Sequence, residues 1–334
     1  MIENSVLRIK SDFPLLLTSK ILPLYEYFSK NRNDYNCVLH TYKGFAEFVK
    51  IVNNKVYNNN MVFDESLEFK FRQKMTDSNK IVIGYSSGFD STYQALKFKS
   101  LGYEVILLHC SNMNKSYPDE KQKALDFAKE YSMKLIIVEI EHLSSEFFID
   151  NPIKNQLILS IMIDYGLFDN INNFALGNNI YENISECKPQ YGVSDSFESF
   201  MEFRKAINNY ITNINFYDID IKKSECYKFV ADNYFESFKY VNSCISPYRF
   251  KKYLNRINTC KYNIIPLSDE RCLSCYKCAM EYLILSKLGF LDINHDFEKH
   301  CYNIIRNKSD TIFTTKIANK TSTDNDIERS IFNV

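Results

Sequence analysis

From residue 80 onward two hydrophobic rhythms alternate. KIVIGYSS (80–87) is a β-branched apolar run that ends in small residues. STYQALKFKSLG (91–102) follows with helical spacing: Tyr93, Leu96 and Leu101 can share a face, and Gly102 is a natural stop. EVILLHC (104–110) is a second buried-type strand. PDEKQKALDFAKEYSM (118–133) predicts a helix, with Pro118 at its first position and Ala124, Phe127, Ala128 and Tyr131 repeating at three and four. KLIIVEIE (134–141) predicts a third strand, NPIKNQLILSIMIDYGLF (151–168) a helix, and NNFALGNN (172–179) a short fourth strand. The order β-α-β-α-β-α-β predicts an α/β protein, a parallel sheet with helices on both faces.

The flanks are less regular. Residues 1–79 read as an N-terminal extension, a small α+β unit with apolar runs at CVLHTY and GFAEFVKIV. The Asn-rich VNNKVYNNN then reads as a turn, and MTDSNK (75–80) as a linker. Segments 196–212, 222–238 and 278–288 predict helices. The expected organisation is an extension over 1–79, a nucleotide-binding domain over 80–240, a Cys-rich lobe over 241–300 and a polar tail over 301–334. There is no internal repeat.

Composition narrows the class. Lys+Arg and Asp+Glu number 41 each, so the net charge is zero. A general nucleic-acid binder carries a basic excess and is not expected, although a local patch can hide inside a neutral sum. The apolar stretches near the N-terminus are broken by Lys10, Asp12 and Lys20, so neither a targeting segment nor a membrane span is expected. The expected location is the reducing cytoplasm. Ten cysteines there read as buried hydrophobes, metal ligands or catalytic thiols instead of disulfides.

Ser86-Ser87-Gly88-Phe89-Asp90-Ser91-Thr92 follows a strand and opens a helix. Backbone N–H groups and the positive helix end then converge on one point, which favours an anion. Ser86, Ser87, Ser91 and Thr92 add hydroxyl donors, and Gly88 permits close backbone approach. Asp90 can cap the helix or help hold a magnesium ion. Neither GxxxxGK[ST] nor GxGxxG stands here; the alternative is a Ser-capped helix of no special function.

This string resembles the SGGxDS loop of the PP-loop ATP pyrophosphatases, with Ser87 replacing the first Gly of the pair. The resemblance covers roughly 80–290. It implies a PP-loop/HUP-like fold and cleavage of ATP between its α and β phosphates, with AMP passing to an acyl or carbonyl oxygen. It also implies that the loop holds the pyrophosphate with Mg2+, with Asp90 and Ser91 closest to the chemistry. His109 and Cys110 end a strand where such proteins read adenine through backbone groups. Gly177, with Asn178 and Asn179, stands where they place a Gly-rich turn near the nucleotide. Lys154 stands where they carry a basic residue near the phosphates, against a solvated charge as the plain alternative.

Cys272-Leu-Ser-Cys275-Tyr-Lys-Cys278 puts three thiols in seven residues. CxxC loops wrap one tetrahedral metal, and thiolates suit zinc. A fourth ligand is needed: Cys244 or Cys260, with Cys301, His295 and His300 behind them. A buried apolar cluster and an iron–sulfur site are the alternatives. The pairing of this cluster with the loop resembles the 7-cyano-7-deazaguanine synthases. Those enzymes convert a deazaguanine carboxylate to an amide and then a nitrile, using ATP and ammonia, and their four-Cys zinc is structural. In them the lone Cys follows a helix and a short strand, as FESFKYVNSC does here, which favours Cys244.

Other residues carry less. Asp195 and Glu198 stand where the synthases read substrate, with a helix cap as the alternative. Cys110 and Cys187 are candidate sulfur-transfer thiols, with small buried residues as the default. Lys115, Lys121 and Lys123 read as a solvated face, and no His has triad spacing. The expectation is an ATP-dependent ligase acting on a small carboxylic acid with ammonia, its cofactors ATP, Mg2+ and Zn2+, and a homodimer as an open possibility. Rival readings are a PP-loop sulfur-transfer enzyme and an ATP-binding partner protein without turnover.

Overall fold

The computed structural model describes residues 8–10, 14–30, 38–42, 44–56, 62–67, 72–111, 120–141, 153–179, 197–242, 248–268 and 271–307. The N-terminal part comprises β1 (Arg8–Lys10), α1 (Thr18–Lys30), β2 (Val38–Tyr42), α2 (Ala46–Val56), β3 (Val62–Leu67) and β4 (Gln73–Lys74). Then come β5 (Lys80–Gly84), α3 (Phe89–Ser100), β6 (Glu104–Ser111), α4 (Glu120–Glu130), β7 (Lys134–Glu141), α5 (Lys154–Asp169) and β8 (Asn173–Asn179). The alternation expected from residue 80 is therefore present, and α3 stops at Gly102 with φ +84°.

Downstream lie α6 (Phe197–Asn208), β9 (Ile211–Thr212), β10 (Asn215–Ile219), α7 (Lys223–Tyr234) and a 3₁₀ turn (Phe235–Tyr240). α8 (Tyr248–Tyr262), α9 (Tyr276–Lys287) and α10 (His295–Asn307) complete the described chain. α8 and α10 were not expected. The helix expected over 196–212 ends at Asn208. α2 continues through Asn53 and Asn54 to Val56, into the stretch expected as a turn, and the rest of VNNKVYNNN lies outside the described residues.

The main sheet has six strands in the order β1-β7-β6-β5-β8-β10. Five are mutually parallel. The sixth, β1, lies antiparallel on β7, with Ile9 opposite Ile140, so the sheet is mixed where a purely parallel one was expected. An edge strand entering from outside the β-α-β run needs no crossover helix, so nothing forces it parallel. β10 escaped the sequence reading because NFYDI is only partly buried, which is edge-strand chemistry. Two small parallel pairs, β2–β3 and β4–β9, lie apart from this sheet.

Alternation along the strands sorts the core into two layers. Val82, Ile106, Leu108 and Val138 point to one face, where they meet residues of α5 and of the N-terminal helices. Ile81, Ile83, Val105 and Leu107 point to the other, toward α3, α4, α7, α9 and α10. α5 is buried almost all round, from Gln156 to Gly166. A helix apolar on every side must be covered twice. The sheet covers one side, and Leu17, Ile21, Phe45 and Phe48 of the N-terminal part join the same core. The Asp164 carboxylate of α5 fixes this cover, accepting hydrogen bonds from the backbone N–H of Leu17 (2.7 Å) and Thr18 (2.8 Å) at the start of α1. Among the described residues no helix is long and apolar enough to cross a membrane.

Candidate functional site

In an open parallel sheet a ligand sits beyond the carboxyl ends of the strands, where the strand order reverses. Here that point lies between β5 and β8, since the chain moves from β5 through β6 to β7 and then returns to the other side of β5. The loop 85–88 and the start of α3 occupy it.

The loop is braced internally. Gly88 is the N-cap of α3 and supplies no side-chain cap. The hydroxyls of Ser91 (3.0 Å) and Thr92 (2.9 Å) donate to the Gly88 carbonyl, and the Gly88 N–H donates to Ser86 Oγ (3.3 Å). Ser91 and Thr92 are buried, and their hydroxyls, expected as donors to an anion, donate here to the Gly88 carbonyl. The Phe89 ring turns inward and stacks on Tyr227, centroids 3.7 Å apart. Ser86 is exposed.

Ser87 departs most from a plain loop residue. Its φ is +56°, a left-handed conformation that favours glycine. Its side chain is buried and donates to the Glu120 carbonyl at the start of α4 (3.1 Å). Its own carbonyl accepts the Asn242 N–H at 2.6 Å. The hydroxyl is thus committed to α4.

Asp90 does not cap α3. Its carboxylate makes an ion pair with Lys223, the first residue of α7, and the Lys223 ammonium also lies 5.4 Å from the Phe89 ring centre. Lys223 was not among the residues expected at this site. The available signal was β10: once NFYDI is a strand, the residues just after it fall at the same carboxyl edge as the loop. Gly177, at φ +62°, lies two residues before the end of β8, against the helix start; a Cβ there would stand 3.4 Å from the Ser91 nitrogen. Its N–H donates to Gln94 Oε1 (2.6 Å), tying β8 to α3.

A cavity of about 180 Å3 opens beside the loop and is lined by Ser86, His109, Cys110, Glu120 and Lys154 among others. Lys154, the first residue of α5, therefore stands at this cavity. His109 is buried and its pKa is lowered by burial. Its Nδ1 lies 2.9 Å from the Tyr85 carbonyl, which can only accept, so Nδ1 carries the proton. Burial pushes the Cys110 thiol up to about 12, with Lys154 opposing. Lys121 pairs with Glu139 at 3.2 Å, but Lys123 is buried, contrary to the solvated face expected for it. Glu198 is exposed. Cys187, Asp195 and Lys115 lie outside the described residues.

Cys272, Cys275 and Cys278 form a second centre. All three are buried, and their sulfurs lie within 4.8 Å of one another. Cys272 Sγ and Cys278 Sγ are 4.0 Å apart. A tetrahedral metal with metal–sulfur bonds of about 2.3 Å requires sulfurs about 3.8 Å apart, so the group can coordinate a metal. The backbone is already wrapped for it: Leu273 is left-handed at φ +59°, and the N–H groups of Ser274 and Cys278 point at Cys272 Sγ (3.4 Å) and Cys275 Sγ (3.5 Å). α8 clamps the knuckle from outside through Asn255 Nδ2 to the Arg271 carbonyl (2.7 Å) and Asn258 Nδ2 to the Cys272 carbonyl (3.0 Å).

Among the described residues no other Cys, His, Asp or Glu joins this group. Cys260 is exposed. Cys301 is buried, its thiol pushed up to about 12 by burial, and His300 stacks on Tyr262, centroids 4.8 Å apart. Cys244 lies outside the described residues. The chain leading to it is held at the knuckle: the Arg271 guanidinium donates to the Val241 carbonyl (2.5 Å) and is ion-paired to Glu281 (2.8 Å), both side chains fully buried.

No family model and no curated protein matches the chain. Among solved structures it is similar to a predicted subunit of a tRNA methyltransferase from Methanocaldococcus jannaschii. That likeness has 17% identity and a TM-score of 0.29, over 46% of this chain and 74% of that one. It is also similar to an NH3-dependent NAD synthetase from Campylobacter jejuni, at 16% identity and a TM-score of 0.32, over 74% of this chain and 94% of that one. Scores this low carry no weight for activity. The fold rests on the strand order itself: a mixed, mainly parallel sheet flanked by helices, consistent with a PP-loop/HUP-like fold.

Proposed function

We propose that the protein is an ATP-dependent, AMP-forming ligase of the PP-loop type, similar in chemistry to the 7-cyano-7-deazaguanine synthases. The observation that supports this best is the Ser86–Thr92 loop at the switch point, flanked by the cations Lys223 and Lys154 and opening beside one cavity. A carboxylate oxygen is a poor leaving group. Its attack on the α-phosphorus of ATP expels pyrophosphate and makes an acyl adenylate; ammonia then attacks the carbonyl carbon, and AMP leaves with the electron pair. A second activation, at the amide oxygen, followed by loss of AMP and a proton leaves a nitrile. The protein's part is to position and neutralise. Loop N–H groups, Lys223 and Lys154 would bind the phosphates, and His109 and Gly177 would border the nucleotide. Magnesium would offset phosphate charge, and Asp90 is the loop carboxylate that would help hold it.

Residues 80–240 would carry this chemistry and 241–300 a structural zinc lobe, with Cys244 completing the site. Val241 is fastened to Arg271, and three residues of chain span up to about 10 Å, enough to bring Cys244 to Cys272. Of the candidate sulfur-transfer thiols, Cys110, pushed up to about 12 by burial, stays protonated at neutral pH, which speaks against it as a sulfur carrier. ATP labelled at the α and γ phosphates, incubated with a carboxylic acid and 15N-ammonium, tests the reading. AMP, pyrophosphate and a 15N-labelled product are expected; ADP with inorganic phosphate overturns it.

A further inference from the structure

The chain is neutral overall, yet α8 has no acidic residue in its fifteen and five basic ones, Arg249, Lys251, Lys252, Arg256 and Lys261. One side of the helix is spent on the knuckle: Asn255 and Asn258 bond its backbone, and Leu254 packs on the thiols. Lys252, Tyr253, Arg256, Ile257 and Lys261 are exposed, Tyr253 at 65% and Ile257 at 42%. Lys252, Tyr253, Arg256 and Ile257, at spacings of one, four and five residues, share one side of the helix, whereas Lys261 lies half a turn round from Lys252, over the Tyr262 ring. Among the described residues no carboxylate pairs with Lys252 or Arg256. Two neighbouring cations with no carboxylate partner among the described residues, beside an exposed aromatic ring, are arranged to meet phosphates with the charges and a base with the ring.

We propose that this outward face of α8 binds single-stranded nucleic acid, with Lys252 and Arg256 on successive phosphates and Tyr253 stacked on a base. Two other occupants fit less well. A second copy of the same stripe would set like charges against each other. A membrane surface calls for a broad apolar face, and here only Tyr253 and Ile257 are offered while the opposite side is fastened to the knuckle. The site is separate from the ATP loop, so its binding requires no ATP.

Fluorescence anisotropy of the zinc-loaded full-length protein with fluorescein-labelled mixed-sequence RNA and DNA oligonucleotides, without ATP, tests this. Binding should weaken with salt at a log–log slope of about −1.4, as expected for two phosphate contacts on a single strand. The double variant Lys252→Glu/Arg256→Glu should lose at least about tenfold in affinity. Tyr253→Ala should lose about fivefold or more while keeping the salt slope. Zinc content and Tm, read on the same preparations, should match the parent. Undetectable binding of both oligonucleotides overturns the proposal, and so does equal binding by the charge-reversed protein or by Tyr253→Ala. Tighter binding to phosphatidylserine vesicles than to either oligonucleotide overturns it as well. Pyrophosphate release, measured separately, reports on the ligase reading alone.

Discussion

The Asn242 N–H donates to the Ser87 carbonyl at 2.6 Å. One residue earlier, the Val241 carbonyl accepts from Arg271, the residue next to Cys272. Arg271 also donates to the Phe238 carbonyl (3.4 Å), so segment 238–242 is held both to the Ser86–Thr92 loop and to the cysteine knuckle. Two hydrogen bonds thus connect Ser87 to the residue that precedes Cys272, a route by which loss of order in the knuckle should reach the loop.

Metal content and ATP affinity should accordingly fall together. Structural zinc can supply on the order of 10 kcal/mol of apparent folding energy in a small domain, so loss of one ligand should unfold the lobe. Cys275→Ser should lower zinc stoichiometry, solubility and ATP affinity, and Cys244→Ser should match it. Cys260→Ser, at an exposed thiol, should change none of the three. Metal analysis beside ATP titration checks this; unchanged zinc in Cys244→Ser would exclude that residue as the fourth ligand.

Ser87→Gly tests what the extra Cβ does. A left-handed non-glycine residue costs about 1 kcal/mol, and the bond to the Glu120 carbonyl returns a similar amount. The stability change should therefore stay within about 1 kcal/mol. AMP formation should persist, because the hydroxyl is committed to α4. Ser87→Ala keeps the left-handed backbone and loses the bond, so it should be the less stable of the two by about 1 kcal/mol in denaturant unfolding.

Lys223→Gln removes the cation that faces Asp90. The pair is partly solvated, so stability should change by no more than about 1 kcal/mol. AMP release should fall at least about tenfold, since a cation opposite developing phosphate charge contributes more in the transition state than in the fold. A large drop in Tm with normal turnover would make Lys223 a structural residue.

Asp164 should make stability depend on pH. Burial raises its carboxyl to about 6 in the folded protein, against about 3.9 in the unfolded chain. Between those values the folded state keeps the proton and the unfolded state does not. Stability from this group therefore falls as pH rises from about 4 to 6, by up to about 3 kcal/mol, and the loss is complete above pH 6. Asp164→Asn cannot titrate. Its unfolding free energy relative to the parent should improve by roughly that amount between pH 4 and pH 7; a difference independent of pH would contradict the raised value.

What the sequence by itself determined is local. β-branched runs, helical spacing and small-residue stops place the elements from β5 to β8, because a buried parallel strand and an amphipathic helix write their periods into adjacent residues. The Ser86–Thr92 string and the Cys272–Cys278 spacing are likewise contiguous, so both centres are legible before any fold is known. Tertiary structure decided what depends on residues far apart in the chain. Lys223 meets Asp90 only because β10 lies beside β8, and NFYDI carries a weak edge-strand pattern. The inward turn of the Ser91 and Thr92 hydroxyls follows from the Gly88 carbonyl's position, which no residue type encodes. The cover over α5 was foreshadowed by a helix apolar on every side, yet which residues supply it depends on Asp164 reaching across about 150 positions to cap α1. The acid-free stripe on α8 was invisible in a neutral total, because summing charge over the chain erases where the charges stand.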